Sequence, residues 1–138
     1  MDTLSPRERS ARMALIRGKN TKPELVVRRL VHSLGYRYRL HRRDLPGTPD
    51  LVFPSRGKEI FVHGCFWHRH RAASCPLARL PKSRPEFWTS KLEANAKRDT
   101  RSVRELRRMG WQVMTIWECQ LRGARLVDRI RGFLDAER

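Results

Sequence analysis

No run of apolar residues in this chain approaches the roughly 20 needed to cross a membrane. The opening stretch, MDTLSPRERS, lacks the apolar core of a secretion signal. Both absences predict a cytoplasmic protein with no membrane partner. Cysteine is scarce: three residues, an odd count, in a compartment where thiols stay reduced. That fits a metal site better than a set of disulfides. Acidic residues are few, 14 against 31 Lys and Arg, which leaves a net charge of +17. The excess runs along the whole chain and forms no detachable tail, so a polyanion such as nucleic acid is the natural partner. The bland alternative is a solvated basic surface or a ribosomal-type RNA binder. Internal repeats and low-complexity segments are also missing, which excludes a solenoid. At 138 residues and 39% hydrophobic content, the chain predicts one domain, 1–138, with a thin core.

The elements that are present alternate. Ser5-Pro6-Arg7-Glu8 reads as a helix start, with the helix ending at Gly18. Its narrow apolar face, Met13, Leu15 and Ile16, suits a partner surface better than a core. Thr21-Lys22-Pro23-Glu24 repeats the signal, and Leu25, Val26, Leu30, Val31 and Leu34 recur at helical spacing before Gly35. Strands are predicted at Tyr36–Leu40, Asp50–Phe53 and Glu59–Val62, the last two joined through Arg56-Gly57 as a hairpin. Residues 64 to 84 look irregular. A long helix from Pro85 to about Met109, a strand from Trp111 to Trp117 and a helix from Leu126 to Leu134 complete the order. The class is α/β or α+β, with mixed strands and helices packed on the sheet.

The densest chemistry lies in HGCFWHRH, residues 63 to 70, which holds three histidines, one cysteine and two adjacent aromatics at a strand end. Cys65, His70 and Cys75 make C-x4-H-x4-C, and Cys119 follows the strand ending at Trp117. Three thiolates and an imidazole are a common composition for a closed structural zinc site. The alternative is three unrelated reduced cysteines and a surface histidine.

A second reading concerns catalysis. Asp50 begins a strand after a turn, where a carboxylate can hold a hard divalent cation. His63 ends the neighbouring strand and His68 lies five residues on. A carboxylate-bound Mg²⁺ beside a histidine base is a workable phosphodiesterase site. Against this, Pro-Asp is a frequent turn pair, and His68 could be a further zinc ligand or a loop residue. Glu24 completes a capping box with Thr21, or it reaches the site to orient a histidine. Phe66 and Trp67 sit in a non-periodic segment, which favours exposure, and rings of this kind can wedge between base steps. Trp88, Trp111 and Trp117 read more simply as core.

These segments resemble the very-short-patch-repair, or Vsr, endonucleases. The resemblance is carried in order by RSARMALIRGKNTKPE, LPGTPDLVF, VHGCFWHRHRAASC, PKSRPEFWTSKLEANAKRD and GWQVMTIWECQLRG. It implies a restriction-endonuclease-like fold of the PD-(D/E)xK type, a mixed central sheet flanked by helices, and a structural Zn²⁺. It also implies a Mg²⁺-dependent nick in double-stranded DNA 5′ to the thymine of a T:G mismatch left by 5-methylcytosine deamination. By the same resemblance Asp50 is the metal-binding aspartate and His68 the catalytic histidine. His63 is a second site histidine, and Glu24 and Asp99 are acidic residues of the site. Cys65, His70, Cys75 and Cys119 are the zinc ligands, and Phe66, Trp67 and Trp88 the intercalating rings. Met13 lies where the N-terminal helix, residues 1–18, reaches the opposite groove.

Three departures stand out. Phe61-Val-His63 occupies the stretch where the general nuclease motif has acid-x-Lys. Val62 stands where some relatives have threonine, harmless if that residue gives Mg²⁺ its backbone carbonyl. The loop from His70 to Cys75 is longer than the shortest family forms. The expected mechanism has Asp50 and the Val62 carbonyl holding Mg²⁺, His68 activating water, Glu24 orienting His68 and His63 assisting at the phosphate. A mismatch lacks two-fold symmetry, so a monomer is expected, and other mismatch-repair proteins are expected partners. Two rivals remain: a non-catalytic zinc-stabilised DNA-binding module, and a restriction-type nuclease of the same fold.

Overall fold

The computed structural model describes residues 20–68, 70, 75 and 83–137. The expected first helix and Met13 lie outside the described residues. Helix α1 spans Lys22–Ser33. Thr21 caps it by accepting from the Glu24 N–H at 3.3 Å, and Pro23 occupies the first turn, where no N–H is needed. The capping box is only half made, because the Glu24 carboxylate turns away to other partners.

Strand β1, Arg39–Leu40, is shorter than the predicted Tyr36–Leu40. The reason is tertiary. Tyr36 is drawn into the core and its hydroxyl donates to Asp135 Oδ1 at 2.8 Å, while the Tyr38 hydroxyl bonds the Arg28 carbonyl. Strand β2 is Leu51–Phe53 and β3 is Lys58–His63. They pair antiparallel through a 3-10 turn, Pro54–Arg56, closed by Gly57 in the left-handed region. Helix α2, Pro85–Arg108, then crosses over to β4, Gln112–Trp117, which runs parallel to β3. Helix α3, Leu126–Asp135, closes the order. The sheet order is β1-β2-β3-β4.

All six residues of β3 are buried, because both of its faces are covered. Ile60 and Val62 face a core with Val27, Val31, Leu51, Ile116, Ile130 and Leu134. Phe61 faces a smaller one with Leu45, Val52 and Leu106. Lys58 is buried and still satisfied: its ammonium donates to the carbonyls of Phe133, Leu134 and Ala136 at the end of α3. The parallel register sets His63 beside Trp117, so the site is built where β3 and β4 end together.

Candidate active site and Cys/His cluster

A cavity of about 910 Å³ opens at these strand ends, lined by His41, Asp50, His63, Phe66, Trp67, His68 and Asp99, with Arg43, Lys91 and Arg98 also on its walls. Asp50 enters it from the turn before β2. That turn is pinned by Gly47, whose φ is 74° and whose missing Cβ would lie 2.7 Å from Ser102 Cβ on α2. The hairpin register then brings Asp50 to Val62, whose N–H donates to Asp50 Oδ2 at 2.7 Å. Burial pushes the Asp50 carboxyl well above the usual carboxylate range. The Val62 bond opposes that shift, and the neighbouring Glu24 carboxyl, in hydrogen-bond contact, adds to it. Val62 packs in the larger core and also borders the cavity.

Glu24, on α1, is buried beside Asp50 behind the cavity lining, and it does not orient His68 as expected. Its Oε1 meets His41 Nε2 at 2.9 Å and its Oε2 meets Arg28 Nη1 at 3.3 Å. The partner of His68 is Asp99, with Oδ2 2.7 Å from Nδ1. An ionised carboxylate accepts only, so Nδ1 carries the hydrogen and a neutral His68 presents Nε2 as its acceptor. The resemblance alone pointed to Asp99 as a residue of the site. One turn earlier on α2, Asn95 donates to the Trp67 carbonyl at 3.1 Å, so the same helix face fixes both the histidine and the aromatic loop.

His63 is 5% exposed, and its ring stacks on His68 with centroids 3.8 Å apart and 5° between planes. Burial first, then the adjacent His68, lowers its pKa to about 3, against a smaller opposing effect of Asp99. It is a neutral ring that restrains His68 from behind. Its Nδ1 is shielded from water and lacks a hydrogen-bond partner among the described residues.

Cys65, His70, Cys75 and Cys119 converge, with one donor atom from each all within 4.8 Å of one another. Cys119 Sγ lies 3.4 Å from His70 Nδ1, and the Cys119 N–H points at Cys65 Sγ at the same distance. Burial, with the adjacent thiols, pushes the Cys65 thiol up to about 12. Such a set resists ionising without a cation and is well suited to a tetrahedral one. His70 stacks on Trp117 at 4.2 Å, and Trp117 also meets the edge of His63 at 5.1 Å. Trp117 is thus a partition between the two sites and not simple core.

Phe66, Trp67 and Trp88 form a cluster with centroids 5.0 to 6.1 Å apart, each half-buried. Trp88 belongs with this half-buried pair and not with the core. His41, Asn95 and Trp117 were missed or misread in the sequence. His41 had one available signal, a histidine four residues before the LPG turn that leads to Asp50.

Histidines and carboxylates facing a basic, aromatic-walled cavity are the fittings of a hydrolase that works on nucleic acid. The family model described as DNA mismatch endonuclease Vsr matches residues 1–74, which narrows the class to DNA endonucleases. Over 135 residues the chain is 52% identical to the type II nicking enzyme V.XorIIP of Xanthomonas oryzae pv. oryzae, covering 97% of each. It is 40% identical over 115 residues to the DNA mismatch endonuclease Vsr of Escherichia coli K12, covering 83% of this chain and 72% of that protein. It is 38% identical over 121 residues to the type II nicking enzyme V.NmeAIP of Neisseria meningitidis, covering 88% and 84%. The chain belongs to the Vsr family.

Proposed function

We propose that this protein nicks one strand of duplex DNA 5′ to the thymine of a T:G mismatch, starting very short patch repair. The observation that carries the reading is the His68–Asp99 pair facing Asp50 in one cavity, with His68 on the loop that also bears Phe66 and Trp67 and Asp99 on α2. The basic rim receives the backbone. Phe66, Trp67 and Trp88 enter the step beside the mismatch, already cheap to deform, and Met13 of the 1–18 segment approaches from the other groove. His68 Nε2 takes the proton of the attacking water, and Asp99 stabilises the imidazolium that results. His63 keeps the His68 ring in place beside the phosphate.

The carboxyl pair fits a cation. Asp50 and Glu24 are buried in contact. Among the described residues, Arg28 and His41 bond Glu24 while Asp50 has only the Val62 N–H against its charge, so a cation bound at Asp50 would stabilise its ionised form. Asp50 and the Val62 carbonyl would hold Mg²⁺, which neutralises charge on the scissile phosphate when bound. Cys65, His70, Cys75 and Cys119 would hold Zn²⁺, fixing the loop that carries His68. Single-turnover nicking of a T:G duplex tests the assignment. Asp50→Ala and His68→Ala are each expected to lower the rate by at least about a hundredfold, and EDTA to abolish it. Undiminished cutting by either variant would remove that residue from the mechanism.

A further inference from the structure

We infer that His41 is a nitrogen ligand of the divalent cation at Asp50, making this a mixed oxygen–nitrogen site that favours Mn²⁺ over Mg²⁺. The inference rests on the reading of Asp50 as metal-binding and extends it to a residue that reading does not use. One donor atom each from Glu24, His41 and Asp50 lies within 4.8 Å of the others. The Glu24 Oε1 to His41 Nε2 separation is 2.9 Å, and neighbouring ligands on an octahedral ion at about 2.1 Å stand about 3 Å apart. The ring therefore needs little movement to exchange its contact with Glu24 for a shared ion.

A purely ionic role for His41 is less economical. Arg28 already meets the other Glu24 oxygen, so Glu24 is not short of a cation. His41 is also tied to Asp50 through the backbone, its N–H pointing to the Asp50 carbonyl at 3.4 Å, so the imidazole and the carboxylate are placed together. Its side chain is 15% exposed and lines the cavity, which leaves Nε2 reachable by an ion. The other histidines of the cavity are poorer donors here. His63 and His68 are stacked with nearly parallel planes, so their in-plane lone pairs do not converge on one ion, and Asp99 occupies Nδ1 of His68. Mg²⁺ is held by oxygen donors, whereas an imidazole shifts a site's preference toward the divalent ions of the first transition row, of which Mn²⁺ is the one that still accepts mostly oxygen ligands.

The test uses the full chain with its cysteine cluster zinc-loaded, titrated with Mn²⁺ and followed by electron paramagnetic resonance. Mg²⁺ affinity is read by competition. Bound Mn²⁺ is expected to show electron–nuclear modulation from one directly coordinated nitrogen. His41→Gln, which keeps a hydrogen-bond donor, is expected to remove that modulation, weaken Mn²⁺ binding on the order of tenfold and affect Mg²⁺ less. His41→Asn serves as the second variant, and thermal melting confirms that both fold. Absent nitrogen modulation in the parent protein, modulation unchanged in His41→Gln, or equal losses for both ions would overturn the inference. Asp50→Asn separates the two levels. Mn²⁺ binding lost there but unaltered by either His41 variant overturns His41 alone, whereas binding retained in Asp50→Asn contradicts the underlying metal assignment as well.

Discussion

His68 carries one hydrogen bond that decides its chemistry. Asp99 holds Nδ1 at 2.7 Å and so keeps the acceptor on the other nitrogen. Asp99→Asn preserves shape while removing the charge that, in the proposed mechanism, stabilises the imidazolium. Nicking is expected to fall by about two orders of magnitude or more with little change in DNA affinity. Parallel cleavage and binding assays check this, and equal losses in both would contradict it. Glu59 bears on stability instead. It is buried opposite Val52 and Val113 on β3, and both its oxygens lack hydrogen-bond partners among the described residues. Burial raises its carboxyl from 4.5 to about 7, partly offset by Arg42. A raised folded-state value favours the protonated form, so its contribution is fully present below the ordinary pKa and is lost as pH rises through about 7. Urea unfolding is expected to show stability falling between about pH 4.5 and 7.5, by up to about 3 kcal/mol. Glu59→Gln should flatten that slope, and an unchanged slope would contradict the assignment. At this scale the octapeptide and Asp50 were legible because their chemistry is concentrated in short segments. Asp99 and His41 were not legible from spacing, since their partners lie 31 and 17 residues away and only packing brings them together.

Helix α2 does more than cover the sheet. Its successive turns hold Trp67 through Asn95, His68 through Asp99 and the turn before Asp50 through Ser102. Gly47 lets that turn come close, both by its positive φ and by the lack of a Cβ. Gly47→Ala is therefore expected to destabilise the fold by about 1–3 kcal/mol and to lower nicking by displacing Asp50. Urea unfolding with a cleavage assay checks both, and a variant of parental stability and activity would contradict the close approach. Most elements were legible from periodicity and end signals: α1, the β2–β3 hairpin, α2, β4 and α3 all form near their predicted bounds. The exception is β1, where alternation in Tyr36–Leu40 suggested five paired residues. Burial of Tyr36 took precedence over pairing, and only two residues join the sheet. Trp117 was misread for a related reason. A strand-end aromatic usually reports core, and the sequence does not show that this one divides two clusters of ligating side chains.

Across the molecule, charge and geometry serve one task. A net charge of +17 supplies attraction to any duplex, and it cannot by itself select a mismatch. In the proposed function, selection falls to the aromatic cluster of Phe66, Trp67 and Trp88, which lies on and beside the loop bearing His68. The Cys/His cluster lies across Trp117 from His63, the ring that stacks on His68, so a metal bound there would stiffen the loop without entering the reaction. Among the described residues, no helix is long and apolar enough to cross a membrane. The measurement that bears most directly on this account compares two end-labelled duplexes of one sequence, differing only in T:G against C:G at one position, incubated with the zinc-loaded protein and Mg²⁺. The account predicts one nick, on the thymine strand immediately 5′ to the mismatched base, and an intact C:G duplex. Equal cutting of the two duplexes, or breaks in both strands, would contradict it.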